Sequence, residues 1–128
     1  MTSHPVLVLL LLAPAALVSF AAHELGHLLA WKTFGVRHKR FVFHWRRGGI
    51  GVEYDADRRH LSRRQQFVGA AGGPMANLLL AAALWHVAPL LASGSLELGL
   101  FNILLPVHGA DGRWMLRSLR GHGAFDLA

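Results

Sequence analysis

The sequence contains no cysteine, and long stretches of it contain no basic residue. Without cysteine the chain can form no disulfide bond and no thiolate metal site, so a bound metal must take its ligands from His, Asp or Glu. Lys and Arg are absent from 1–31 and from 65–112, and only 16% of all residues are charged. The apolar residues fall in long runs, which is typical of membrane-spanning segments and not of a soluble core.

Three hydrophobic segments predict three transmembrane helices within a single domain, 1–128. They run from about 5 to 34, from about 67 to 92 and from about 96 to 119. The first is long enough to cross a bilayer, although Pro14 should kink it. The third can cross the bilayer only if Asp111 lies within the hydrocarbon layer and the Arg113 side chain extends toward the membrane surface. The expected fold class is an α-helical integral membrane protein with three transmembrane core helices.

The basic residues predict how the chain is oriented. Ten of the thirteen Lys and Arg lie between Lys32 and Arg64, and the other three follow Gly112. Because basic residues beside spans mark the cytoplasmic side, the N-terminus is expected outside and the C-terminus in the cytoplasm. The expected location is the plasma membrane of a prokaryotic cell. This distribution favours contact with the lipid bilayer over a nucleic-acid surface. A cleaved signal peptide is disfavoured because the first segment has no basic start.

The loop between the first two spans has a pattern of its own. Aromatic and β-branched residues at 41–45 and 50–54 flank a Gly-Gly pair at 48–49. Such runs around a tight turn are typical of a β-hairpin. The sequence therefore predicts a small cytoplasmic β-hairpin over about 41–54.

The first span carries the motif His23-Glu24-Leu25-Gly26-His27. On a helix, an HExxH pentad places two imidazoles on one face, one turn apart, where they can hold one Zn²⁺. The Glu between them is then placed to act on a water molecule that the metal activates. Two histidines and a carboxylate are costly in hydrocarbon unless they have a function. The motif predicts a metal-dependent hydrolase that works inside a membrane.

A catalytic zinc site usually needs a third protein ligand. Along ideal helices, His23 and His27 lie ~15–21 Å before the basic loop, and Asp111 lies ~9–14 Å before the last arginines. Asp111 is therefore the candidate, and His108, one turn earlier, is its rival. Two structural alternatives stay open: Glu24 as a hydrogen-bond partner of His27, and Asp111 as a helix-end residue.

The second span brings small residues to the same depth. Gly72-Gly73-Pro74-Met75-Ala76-Asn77 lies ~12–20 Å along the helix from its basic start. Small residues there let helices approach closely, and we interpret the glycines as packing residues. Asn77 places a side-chain amide at the membrane depth predicted for the metal site.

Taken together, these motifs resemble the site-2 protease family of intramembrane zinc metalloproteases. The resemblance rests on HExxH in the first core helix, on 73–77 in the second, and on 102–106 leading to Asp111-Gly112 in the third. In the last motif, Asn102 stands four residues before Pro106, where the family has three. A shift of one residue rotates a helical side chain by about 100°, so no role is expected for Asn102.

The resemblance implies a role for each of five residues. His23, His27 and Asp111 would hold one Zn²⁺ per chain. Glu24 would act as general base and acid, with a zinc-activated water as the nucleophile. Asn77 would be a further catalytic residue, which helps to hold the substrate backbone or the oxyanion. The hairpin would receive the substrate as an added strand.

The implied function is a zinc metalloendopeptidase that hydrolyses peptide bonds of membrane-protein substrates. The expected partners are a transmembrane protein or peptide substrate, the bilayer, and a homo-oligomer or regulatory membrane partner, with no nucleic acid. The alternative is a catalytically inactive homologue that acts as a membrane interaction protein. A metal transporter is disfavoured because the outer halves of the spans are almost purely apolar.

Overall fold

The protein, described by a computed structural model, is largely helical, as the sequence predicts. The structure describes residues 5–44, 49–55, 61–105 and 111–120. Within these ranges the elements follow in the order α1 (Pro5–Lys32), β1 (Arg37–His44), β2 (Gly49–Asp55), α2 (Arg63–Leu84), α3 (Pro89–Leu104) and α4 (Asp111–Arg120). Helix α2 lies at the centre, where it packs against α1, α3 and α4.

Helix α1 ends where a glycine lets the chain turn. Gly35 has φ 75°, a left-handed conformation that costs glycine little because it has no Cβ. The Val36 N–H donates to the Trp31 carbonyl at 3.1 Å, and the Gly35 N–H donates to the Lys32 carbonyl at 3.0 Å. This pair of bonds is the Schellman arrangement, which satisfies the last carbonyls of a helix. Trp31 and Val36 are both buried beside the turn.

Two strands occupy the segment for which the sequence predicts a hairpin. β1 and β2 pair in antiparallel orientation, from Arg37 opposite Asp55 to His44 opposite Gly49. The register is irregular between His38 and Arg40. The residues that join the two strands, 45–48, lie outside the described residues.

Helix α2 begins at a reciprocal cap. The Gln65 N–H donates to the Ser62 hydroxyl at 3.3 Å, and the Gln65 side-chain oxygen accepts from the Ser62 N–H at 2.8 Å. This capping box satisfies two backbone donors that the first turn of a helix leaves free. It fixes the start of α2 and so sets the position of the glycines that follow, from Gly69 to Gly73.

The predicted boundaries of the second and third spans are wrong. The chain turns at 85–88, and residues 93–95, which separate the second predicted span from the third, lie inside α3. Pro89 explains the start of α3, because proline favours the first position of a helix. The Ser93 hydroxyl donates to the Pro89 carbonyl at 2.8 Å, so this serine is accommodated inside the helix.

The predicted third span, from 96 to 119, is also divided. Helix α3 ends at Leu104, and the backbone at Leu105 is extended. A separate helix, α4, begins at Asp111. The acidic residue therefore belongs to a fourth helix and does not lie in the middle of a third, which continuous hydropathy does not reveal.

Two of the described helices are long and apolar enough to cross a membrane, namely α1 and α2. Helix α3 is apolar but has only 16 residues. Large apolar side chains point outward along the two longer helices: Leu17 is 68% exposed, Leu29 57% and Leu79 66%. A core helix of a soluble protein would bury such side chains, whereas lipid accepts them.

Helices α1 and α2 touch through their backbones. A Cβ added to Gly72 would lie 2.5 Å from the Gly26 carbonyl oxygen and 2.8 Å from the Ala30 Cβ. Only residues without side chains permit this approach, which is how small residues act in membrane helix pairs. Nearer the other end of α1, the buried hydroxyls of Ser19 and Ser95 share a hydrogen bond of 2.8 Å, which links α1 to α3.

This contact predicts opposite effects for one substitution at two helical glycines. We expect Gly72→Ala to lower the free energy of unfolding by about 1–3 kcal/mol, because the new methyl group overlaps the α1 backbone. Gly94→Ala should raise it by up to about 1 kcal/mol, since its Cβ meets only Ser19 Oγ at 3.9 Å and alanine favours the helix. Thermal unfolding of both variants in detergent measures the difference, and equal melting temperatures would contradict the close crossing.

Candidate metal centre

Helix α1 places the two histidines of the HExxH motif one turn apart on its buried face. His23 is 5% exposed and His27 is 9% exposed. Their rings meet edge to face, with centroids 4.8 Å apart. The two Nε2 atoms lie 3.2 Å from each other, so both rings direct the same nitrogen toward one point.

Asp111 completes the group from the first position of α4. One of its carboxylate oxygens lies 3.0 Å from His23 Nε2, and the other lies 3.2 Å from His27 Nε2. The structure therefore brings together the three residues that the sequence predicts as ligands.

The donor atoms have the spacing that a tetrahedral ion requires. With bonds of about 2.0–2.1 Å, neighbouring ligands of a tetrahedral zinc lie about 3.3–3.4 Å apart. The closest contacts are 3.0, 3.2 and 3.2 Å, with a different oxygen of Asp111 facing each histidine, and one donor atom from each residue lies within 4.8 Å of the others. Two imidazole nitrogens and a carboxylate are a typical donor set for a catalytic zinc, and the residues present thus fit one such ion.

A backbone carbonyl on α2 determines which nitrogen of His27 carries the proton. Nδ1 of His27 lies 2.8 Å from the Gly69 oxygen and 3.3 Å from the Gly73 nitrogen. A carbonyl oxygen can only accept, and the shorter contact decides, so Nδ1–H donates to Gly69. The lone pair on Nε2 is then free to bind a metal. Sequence reasoning missed Gly69, because a backbone carbonyl leaves no trace in the pattern of side chains.

Gly73 lies directly against the metal-binding nitrogens. A Cβ added there would lie 2.7 Å from His23 Nε2 and would overlap His27 Nε2. The predicted packing role of these glycines holds for Gly72 but is incomplete for Gly73. The depth of Gly73, equal to that of the HExxH motif, was the signal that could have revealed this role.

Asn77 lies behind the His23 ring and not in front of the donor atoms. Its side chain is fully buried, and its amide nitrogen is 3.2 Å from Nδ1 of His23. The contact with a substrate that the resemblance implies for Asn77 stays a prediction. The Asn102 amide donates to the Leu98 carbonyl of its own helix at 3.0 Å. His108, the rival third ligand, falls within 106–110, outside the described residues.

Glu24 stands between the two ligands along α1. It is neither fully buried nor fully exposed, in contrast to the histidines on either side of the motif. A carboxylate that acts on a water molecule needs this partial access. Glu97, the other acidic residue of the described apolar helices, is exposed on α3.

The comparison with known families covers most of this structure. The model of peptidase family M50 matches residues 11–94. The chain belongs to peptidase family M50. Its members are zinc metalloproteases, and the resemblance to site-2 proteases is confirmed. The matched region contains the HExxH motif and 72–77 but ends before Asp111, so the third ligand rests on geometry alone. Neither a curated protein nor a solved structure matches the chain.

The position of Gly73 predicts a loss of metal from a single added methyl group. Gly73→Ala should abolish stoichiometric zinc binding, because the methyl group displaces both Nε2 atoms. Gly94→Ala, the same exchange at a glycine that has room for a Cβ, should leave zinc content unchanged. Metal analysis of both purified variants measures the difference. A Gly73→Ala protein with a full complement of zinc would contradict the placement of this glycine.

Asp111 can be tested separately from the family match. Asp111→Ala should weaken zinc binding by more than about 100-fold, beyond the loss that an outer hydrogen-bond partner causes. Glu97→Ala, which removes an exposed acid outside the group of His23, His27 and Asp111, serves as the matched control. Competition with a zinc-binding dye gives both affinities. Equal affinities for the two variants would show that a different residue is the third ligand.

Proposed function

We propose that this protein is an intramembrane zinc metalloendopeptidase. One observation carries the proposal: two imidazole nitrogens and a carboxylate from opposite ends of the sequence lie 3.0–3.2 Å apart. Membership of a family of zinc metalloproteases supports the same chemistry. His23, His27 and Asp111 would hold one zinc ion.

The helices suggest how the protein lies in a bilayer. α1 and α2 are each long enough to span about 30 Å of hydrocarbon, whereas the 16 residues of α3 extend only about 24 Å. We propose that α3, together with the segment leading into α4, forms the third crossing. The N-terminus would then lie outside, with the strands and the C-terminus in the cytoplasm of a prokaryotic cell.

Glu24 is the proposed general base and acid. A zinc ion, when bound, lowers the pKa of its water toward neutrality and polarises the scissile carbonyl. Glu24 accepts the proton that the attacking water loses and returns it to the leaving amine. Its partial exposure supports this role, because the group must meet water before cleavage and substrate during it.

The two strands offer a way to hold the substrate. A helical peptide bond is shielded by its own hydrogen bonds, so a transmembrane substrate must unwind locally before cleavage. The sheet has only β1 and β2 among the described residues, and each strand therefore has an unpaired edge. We propose that an extended segment of a membrane protein or peptide pairs with one of these edges. A homo-oligomer or a membrane partner would regulate access.

Glu24→Gln tests the chemical step. The variant should lose cleavage of a co-expressed membrane substrate by a factor of at least about 100, since general base catalysis contributes roughly 10²–10⁴-fold. It should still bind one equivalent of zinc, because the three ligands are unchanged. Glu97→Gln, the same exchange at an exposed acid, should cleave normally.

Immunoblots of substrate and product, read beside metal analysis, separate the outcomes. Undiminished cleavage by Glu24→Gln would reject its role. Zinc binding by the unaltered protein without cleavage of any substrate in a broad panel would instead support a membrane interaction protein.

A further inference from the structure

Both metal-binding histidines are supported from behind by α2, but in different ways. For His27, the support is the Gly69 carbonyl, which accepts from Nδ1–H at 2.8 Å. For His23, the atom facing Nδ1 belongs to the side chain of Asn77, at 3.2 Å. The two rings therefore have equivalent contacts on the side away from the ligand triangle, one from backbone and one from an amide.

The amide can face His23 in two orientations with opposite consequences. If its nitrogen donates to Nδ1, the neutral ring carries its own proton on Nε2, and that nitrogen has no lone pair for a metal. If its oxygen accepts from Nδ1–H, the lone pair of Nε2 is free. The two orientations of an amide differ only by exchange of O and N, so the chemistry of the neighbours decides between them.

The neighbours favour the oxygen facing His23. The outer atom of the Asn77 amide is buried without a hydrogen-bond partner among the described residues, so exchanging the two amide atoms breaks no existing bond there, and the contacts of His23 Nε2 decide the orientation. His23 Nε2 lies 3.0 Å from one Asp111 oxygen and 3.2 Å from His27 Nε2, as a metal ligand would. A ligand at that position must be unprotonated on Nε2 and so protonated on Nδ1.

We propose that Asn77 is a positioning residue, whose amide oxygen accepts from Nδ1–H of His23 and keeps Nε2 free for zinc. The proposal depends on the metal site but not on peptide hydrolysis. It differs from contact with the substrate oxyanion, because an amide that supports the back of the ring acts on metal affinity. Its complete burial also excludes water from competing for Nδ1–H.

Two variants with the same number and branching of side-chain heavy atoms distinguish the hydrogen-bond acceptor from the packing of the side chain. Asn77→Leu keeps the bulk and removes the acceptor, and zinc affinity should fall roughly 10–100-fold, as for other lost outer-shell partners. Asn77→Asp keeps an acceptor oxygen, and its zinc affinity should stay within a few-fold of the unaltered protein. Asn102→Leu is the matched control, because that amide bonds only to Leu98 of its own helix among the described contacts. Dye competition in detergent measures all four affinities.

A spectroscopic measurement keeps the test valid if Asn77→Leu folds poorly. In the zinc-loaded, unaltered protein labelled with ¹⁵N-histidine, His23 should show a slowly exchanging proton on Nδ1. That protection should survive in Asn77→Asp. Detection of the His23 proton on Nε2 would overturn the proposal, whatever the variants do.

The remaining outcomes separate this proposal from its rivals. Normal zinc affinity in both Asn77 variants, with cleavage lost in both, would overturn it in favour of the oxyanion role. Normal affinity in Asn77→Leu alone is sufficient to reject the acceptor role. Equal loss of affinity in Leu and Asp would also reject the acceptor role, because aspartate keeps both the shape of the side chain and an acceptor oxygen. Because the affinity and NMR measurements use no peptide substrate, a failure of the protease function would leave their result unaffected.

Discussion

The backbone contact between α1 and α2 is the constraint on which the rest of the structure depends. Gly26 and Gly72 let the two helices approach so closely that a Cβ on either glycine would overlap the other helix. At this distance the Gly69 carbonyl reaches His27, and the Asn77 side chain reaches His23. A wider helix pair would leave both imidazoles without support, and they could no longer hold one tautomer or direct both Nε2 atoms to one point.

The site thus divides its tasks among elements. α1 supplies the two histidines and the proposed base, α4 supplies the acid, and α2 supplies none of the predicted ligands but contacts both histidines. Glycine at position 73 is as specific a requirement as histidine at 23, although it contributes no donor atom. In this arrangement the smallest side chains determine where the metal-binding ones point, because a dense helix contact leaves no other freedom.

The sequence predicts the site better than it predicts the boundaries of the helices. The spacing of His23 and His27 fixes their common face, and the depth argument leads to Asp111 without the structure. The same hydropathy cannot show that the chain turns at 85–88 or that α3 ends at Leu104, because apolar residues continue through both regions. The roles of Gly69 and Gly73 depend on contacts between helices, which periodicity within one helix does not contain.

Asp111 has a consequence for the stability of the whole chain. Asp111 belongs to α4, which packs mainly on α2. The Asp111 carboxylate nevertheless contacts His23 and His27 on α1, near the other end of the sequence. An ion shared by these groups would act as a cross-link that closes a loop of more than half the chain, and it would restrict the unfolded ensemble as a long-range disulfide does. A protein without cysteine would in this way gain a reversible cross-link. A chelator would then destabilise the packing of α4 as well as abolish the proposed activity.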